Sequence, residues 1–393
     1  MKILFIAGLF RKRSCSASIR NVALVNGLAE LGVDITVLTV KFPNEVLDPY
    51  LISSVNKGVK IIEVSAGLIS LYIPSMYSGE SFTTFNYSFL RRLVKNIIYF
   101  PSVDKRWIKE VNPVDYTGYD LIISSSDTKT SHFVADRIIK NDPTRTRWLQ
   151  IWGDPWADDI GLNSKLTRLR AYHAEKRLLK KADLIGYVSK PTAQRMSDKN
   201  PLLSDKIKYI PRNFFKAVER CSTGVGVLKI SYTGVLKGRD ITPMLNAMQS
   251  YNASSTITIF LDVYGRVDTE QKQLIENCSY AQYHGEVSLK DVFEAFKSSD
   301  ALLYLGNAAG TSQIPGKLYD YFGTNLPILA LVQDMNDDVT KFILKSERCI
   351  VFENKVSNIS LDKLVKSKGA FSIMEEYSPK SVASSILKMI DSK

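Results

Sequence analysis

Histidine and cysteine are scarce in this chain of 393 residues, and both shortages exclude chemistry. Three histidines, His132, His173 and His284, cannot build a His-rich metal site. Four cysteines, Cys15, Cys221, Cys278 and Cys349, lie far apart with no CxxC pair. Neither zinc nor a disulfide framework is indicated, and the usage is that of a reduced, cytosolic protein. No apolar run is long enough to span a bilayer. The opening MKILFIAGLF is followed by Arg11, Lys12 and Arg13, the wrong side for a signal peptide's charge, and no small-residue cleavage site follows. It reads as a first buried strand. No GxGxxG comes after that strand, which weighs against a dinucleotide-dependent oxidoreductase.

Acid is short in one half only. Residues 1–213 hold 32 Lys and Arg against 20 Asp and Glu, whereas residues 214–393 hold 20 of each. The whole excess of +12 therefore sits in the first half. This asymmetry points to an acidic partner there, lipid or nucleic acid, and no nucleic-acid motif accompanies it. The composition, 45% hydrophobic and 23% charged, is that of a globular protein with enough chain for two cored domains.

Strand and helix patterns alternate along most of the chain. Strand 2–7, a helix from Ser16 to Leu31 ended by Gly32, and strand 34–40 set a βαβ rhythm that argues for parallel sheets. Residues 66–115 interrupt it. Their aromatic-rich run contains a helix pattern with Leu90, Leu93, Val94 and Ile97 on one stripe and Arg91, Arg92 and Lys95 on another, ending at Tyr99 and Phe100. Two readings stand together: a helix lying in a membrane interface, or a domain helix whose apolar stripe is core. The rhythm resumes with DLIISSS, a helix near Ser131–Lys140, and RWLQIW followed by GDPWADD. The basic helix around 162–182 reads as a solvated face, and a hinge falls at 210–227, where Gly224 and Gly226 interrupt the pattern. Strand LKISYTG, loop VLKGRD, strand TITIFLDVYGR and segment YHGEVS then repeat the α/β pattern.

The chain is organised around GNAAGTSQIPGKLYDYFGTNLPILAL, residues 306–331. An apolar strand (301–305) enters a loop of small residues, and a helix opens at Pro315, where proline's missing N–H costs nothing. Glycine lets backbone approach a ligand, and a helix start attracts anions. Lys317 adds a point charge for phosphate, while Asp320, nearly one turn on, can accept hydrogen bonds from ribose hydroxyls. Together these describe a nucleotide-diphosphate pocket.

The run PGKLYDYFGTNLPIL resembles the donor motif of family 4 (group 1) retaining glycosyltransferases of GT-B fold, including those of bacterial surface-polysaccharide synthesis. AEKRLLKKADLIGYVS, the Asp-Pro-Trp of GDPWADD and the KYIPRN crossing fit the same family. The resemblance implies an α/β protein of two Rossmann-like domains facing across a cleft. An acceptor domain would occupy 1–212, a nucleotide-sugar domain 213–375, and a helix at 376–393 would cross back. It implies that Arg239, with Lys237 or Lys317, neutralises the diphosphate, although Val235 stands where the family has its Arg. Gly234 and Gly265 would border the donor, as would Gly310, Thr311, Ser312, Gln313, Ile314, Pro315 and Gly316. Ser312 takes the place of the family's first Glu and Asp320 that of its second. Ser16 would border the phosphates, and His132 and Asp154 the sugar or acceptor.

The function so implied is transfer of a sugar, with UDP the common carrier, to a glycan or lipid-linked acceptor with retention. No cofactor or metal is called for: no Asp-x-Asp closes a strand, and no paired carboxylates stand out as a hydrolase couple. The expected location is the cytoplasm, at the inner face of the plasma membrane, with the basic half touching anionic lipid. A nucleotide-sugar 2-epimerase of the same fold, an NAD-linked enzyme and a non-enzymatic membrane-surface protein remain as alternatives.

Overall fold

The computed structural model describes residues 1–13, 15–43, 45–67, 100–159, 162, 164–220, 226–307, 314–367, 369 and 371–392. The helix pattern at 90–99, with its apolar and basic stripes, lies outside the described residues, as do Gly310, Thr311, Ser312 and Gln313. The chain divides into two compact units, Met1–Asn213 with Pro379–Lys393, and Phe214–Ser378.

The first unit holds β1 (Lys2–Ala7), β2 (Asp34–Lys41), β3 (Lys60–Ser65), β4 (Leu121–Ser125), β5 (Arg147–Trp152), β6 (Leu184–Tyr187) and β7 (Ile207–Tyr209). They form one sheet in the order β3-β2-β1-β4-β5-β6-β7, and each described pairing is parallel. Helices cover both faces of such a sheet, so the central strands need no polar alternation. Accordingly β1 and β5 are buried at every residue after the first, and β4 throughout. Gln150 survives inside because Leu178 O accepts its amide at 2.9 Å and Trp152 Nε1 donates to its oxygen at 3.0 Å.

The helix Pro379–Asp391 packs on the helix Ser16–Glu30. Gly27 makes the approach close, since a Cβ there would overlap the carbonyl of Pro379. Arg147 fixes the far end by donating to Ile390 O at 2.7 Å.

The second unit holds β8 (Val227–Thr233), β9 (Thr258–Tyr264), β10 (Ala281–Gly285), β11 (Ala301–Leu305), β12 (Ile328–Val332) and β13 (Cys349–Glu353). The order is β10-β9-β8-β11-β12-β13, again parallel. In each sheet the winding reverses once, between β1 and β4 and between β8 and β11. Open α/β sheets bind ligands at the carboxyl ends of the strands beside such a reversal. The helix expected over 162–182 runs Lys165–Lys181, where Ser164 caps it by accepting the Thr167 amide. The strand Lys60–Ser65 and the short helices Pro49–Ser54 and Trp107–Glu110 were not foreseen.

Candidate functional site

At the carboxyl ends of β8 and β9 the chain leaves the sheet through two glycines set back to back. Gly234 has φ 113° and Gly265 φ 120°, and a Cβ on Gly265 would overlap the Gly234 carbonyl. Only glycine takes that φ without strain and leaves that space. Gly234 donates to Tyr264 O at 2.8 Å, and Gly265 to Gly285 O at 2.7 Å. The strand ends are thereby tied into one shelf.

Across the reversal, Pro315 caps the helix Gly316–Phe322 with φ −62° and ψ 136°. Lys317 reaches from its first turn to the shelf. Its Nζ lies 3.9 Å from the ring centre of Tyr232, next to the last residue of β8, and 5.6 Å from that of Tyr304 on β11. It also stands 3.4 Å from Thr233 O. Burial among these rings, then the nearby Arg239 guanidinium, hold the Lys317 ammonium well below its usual pKa. Arg239 spans the same reversal, donating to Leu305 O at 3.0 Å and Val235 O at 2.6 Å. Neither cation meets a carboxylate among the described residues. Two cations held side by side on carbonyls and ring faces form a ready anion site, because an incoming anion displaces no existing ion pair.

The other residues expected here are partly joined to it. Ile314, Pro315 and Gly316 are half-buried at the helix mouth, and Lys237 is exposed on the β8 loop. One oxygen of Asp320 accepts the Phe215 amide at 3.0 Å, so this carboxylate also anchors the strand of chain entering the unit. The helix has seven residues, and its dipole adds little to the charge supplied by the side chains. Sequence reasoning missed a flat pair at the ends of β9 and β10. Tyr264 and His284 stack with centroids 4.4 Å apart, and His284 Nε2 meets Asp262 Oδ1 at 2.6 Å. The alternation of TIFLDVY places Asp262 and Tyr264 on one face of β9, which is the signal that was available.

In the first unit, Ser16, Asp154 and His132 fare differently. Ser16 Oγ accepts from Arg212 at 2.6 Å, at the start of the helix Ser16–Glu30. Asp154 follows β5, and burial raises its pKa despite Lys129 nearby. Around it the structure gathers a charged cluster at the β1–β4 reversal that sequence reasoning did not find. Arg20 is buried and donates to Ser126 O, while Asp127 pairs with Lys129 at 2.8 Å. A buried Arg amid a helix's apolar face was the visible clue.

His132 lies deeper than the other two. It is wholly buried, stacked on Trp152 with centroids 4.1 Å apart, and its Nδ1 is 2.8 Å from Ser124 Oγ. Trp148 Nε1 donates to the same hydroxyl at 2.8 Å. The imidazole packs in the tryptophan core, where burial holds its pKa well below the usual value.

No protein-family model matches the sequence, and no curated protein matches it. Solved structures do. The structure of TarM superposes with a TM-score of 0.58 at 9% identity, covering 100% of this chain and 99% of that one. Anabaena Alr3699/HepE, in complex with UDP and glucose, gives 0.55 at 11% identity, covering 100% and 98%. The UDP-GlcNAc 2-epimerase of Neisseria meningitidis, bound to UDP-GlcNAc, gives 0.56 at 11%, covering 100% of both chains. The fold is the GT-B fold. Its two Rossmann-like domains correspond to the seven- and six-stranded parallel sheets described above. Identities this low establish fold and nothing finer. Among the described residues no group of His, Cys, Asp and Glu is arranged to hold a metal ion, and no helix is long and apolar enough to cross a membrane.

Proposed function

We propose that the chain is a glycosyltransferase that binds the diphosphate of a nucleotide-sugar at the carboxyl ends of β8 and β11. The observation that carries this reading is the pairing of Lys317 with Arg239 at the sheet reversal, both without a carboxylate among the described residues. Solved GT-B structures of similar architecture, holding UDP with glucose or UDP-GlcNAc, support the class of ligand. The resemblance of PGKLYDYFGTNLPIL to family 4 enzymes supports transfer with retention, to a glycan or lipid-linked acceptor such as a surface polysaccharide uses.

In this reading the bond from the anomeric carbon to the donor phosphate breaks, and its electron pair passes to the phosphate. The two cations stabilise that developing charge where water is largely replaced by Tyr232 and Tyr304. The acceptor oxygen bonds to the anomeric carbon on the face the phosphate leaves, and its proton passes to a phosphate oxygen. Neither a metal nor a protein base is assigned a step.

The test is a thermal-shift screen with UDP-, GDP- and dTDP-sugars, followed by product analysis. A donor at 100 times its Kd adds about 2.7 kcal/mol of stability. A nucleotide-sugar that raises the melting point and releases its nucleoside diphosphate when acceptor is added supports transfer. A product of unchanged mass selects epimerisation, which the likeness to the Neisseria enzyme keeps in view. A chain indifferent to all nucleotide-sugars ends the reading.

A further inference from the structure

The helix Lys165–Lys181 carries seven Lys and Arg and one carboxylate in its 17 residues. That carboxylate is turned inward: Glu175 accepts the amides of Trp156 and Ala157 at 3.0 and 3.1 Å. Ala171, Leu178 and Leu179 bury with it, which completes an ordinary inner stripe. The outer face is not ordinary. Leu166, Leu169 and Tyr172 are 50%, 54% and 48% exposed. At 3.6 residues per turn they share an arc of roughly 120°, and Lys165, Lys176 and Lys180 fall inside the same arc.

Five of the cations on this helix are engaged: Lys176 lies 5.7 Å over the Tyr172 ring and Arg168 donates to Leu162 O at 3.1 Å, beside three that reach further. Lys181 pairs with Asp136, Arg170 lies 4.3 Å over Phe100, and Arg177 lies 5.6 Å over Phe133. Lys165, Arg168, Lys176 and Lys180 meet no carboxylate among the described residues. Beside them opens a cavity of about 580 Å³ whose lining includes Leu169, Leu179 and Met196, with Lys165 and Arg168.

We propose that this face docks on an anionic lipid bilayer, with Leu166, Leu169 and Tyr172 entering the interface and the lysines meeting lipid phosphates. Large apolar side chains set among unneutralised cations on one helical face suit that boundary. Charge complementarity selects the occupant. A second copy placed on the same face would set cations against cations. A nucleic acid would satisfy the lysines and leave the leucines in water. The proposal concerns the first unit alone and stands apart from the donor reading. It also places the membrane contact on a helix whose basic residues read, in sequence, as merely solvated.

The experiment is sedimentation of the full chain with vesicles of equal phosphatidylglycerol and phosphatidylcholine, beside vesicles of phosphatidylcholine alone. Binding to the anionic vesicles, weakened by salt, is expected. The variant L166S/L169S/Y172S, and separately K165E/K176E/K180E, should lower that binding at least ~10-fold, the scale of a few contacts at an anionic surface. Both should keep the parent melting point. Should either melt early, Leu166→Ser and Lys165→Glu alone replace it, each lowering binding several-fold. The charge-matched variant K290E/K341E/K345E, in the other unit, should bind as the parent does. Indifference to anionic vesicles, unchanged binding in the face variants, or equal loss in the charge-matched control overturns the proposal. So does a concentration-dependent dimer that the apolar variant abolishes, which would assign the face to a second copy.

Discussion

The ammonium of Lys317 lies 3.9 Å from the ring centre of Tyr232, with the Arg239 guanidinium as its charged neighbour. An ammonium so placed loses water and gains ring faces, and it is held well below the ordinary lysine pKa. The folded chain therefore binds fewer protons than the unfolded chain at any pH between that lowered value and 10.5. Stability rises with pH through this interval, and the full penalty is felt below it. Lys317→Met should accordingly raise the melting point of the donor-free chain at neutral pH, by roughly 2–4 °C per kcal/mol recovered. The same variant should lose the melting-point rise caused by a nucleotide-sugar. A donor diphosphate favours the charged ammonium, so binding takes up protons wherever the free lysine is partly neutral. Calorimetry in buffers of different ionisation enthalpy reads that uptake, and Lys317→Met should abolish it.

Turnover gives the complementary result. Lys317→Ala should slow transfer at least ~100-fold, the scale of one lost contact to developing charge. Arg239→Lys should fall between parent and Arg239→Ala, because an ammonium cannot hold Leu305 O and Val235 O as the fork does. Initial rates with the donor found by thermal shift decide both. Parental rates in Lys317→Ala would remove the assigned role.

Two glycines with φ of the same sign separate backbone strain from collision. Gly285 has φ 75° and nothing within 4 Å of its missing Cβ, whereas a Cβ on Gly265 would overlap the Gly234 carbonyl. Gly285→Ala should cost about 1–2 kcal/mol, the left-handed penalty alone. Gly265→Ala should cost clearly more and also weaken donor binding, since it pushes apart the shelf on which Lys317 rests. Denaturant unfolding and donor thermal shifts measure the two effects separately.

Much of the fold was legible because the strands are buried on both faces. KILFIA, LIISS and ILALV are runs that only a covered parallel sheet accommodates, and glycines or small polar residues mark their ends. Lys317 was legible as a candidate for binding phosphate from PGK after a strand and loop. Its ring contacts were not, because Tyr232 and Tyr304 come from strands 72 residues apart and meet only through sheet order. The β1–β4 cluster of Arg20, Asp127 and Lys129 stayed hidden for the same reason. It joins the helix Ser16–Glu30 to the segment after β4, which a reversal of winding brings together. The burial of His132 was not legible either, because position after a strand says where a residue starts and not which way its ring turns.

The buried place of His132 has its own test. Burial holds His132 well below its usual pKa of 6.5, so the unfolded chain binds the extra proton first as pH falls. The contribution to stability is complete above 6.5 and shrinks below it, toward the lowered folded value. His132→Phe should flatten the loss of stability as pH falls below 6.5, the reference value for histidine. It should leave donor binding unchanged at pH 8. A loss of donor affinity with unchanged pH dependence would assign His132 to the site instead.

Gly27 sets helix propensity against packing. It lies inside the helix Ser16–Glu30, where alanine is intrinsically better by about 1 kcal/mol. A Cβ at that position, however, overlaps backbone of Pro379, which cannot swing aside as a side-chain tip can. The helix Pro379–Asp391 is also held at Ile390 O by Arg147, so it cannot drift away at one end without straining the other. Overpacking of this kind costs roughly 1–3 kcal/mol. Gly27→Ala should therefore lower stability, against its propensity, and a second change, Arg147→Ala, should relieve part of the loss by freeing the C-terminal helix to shift. A double-mutant cycle on denaturation midpoints measures that coupling. Purely additive losses would mean that the strain is absorbed at Pro379 and that the two contacts act independently.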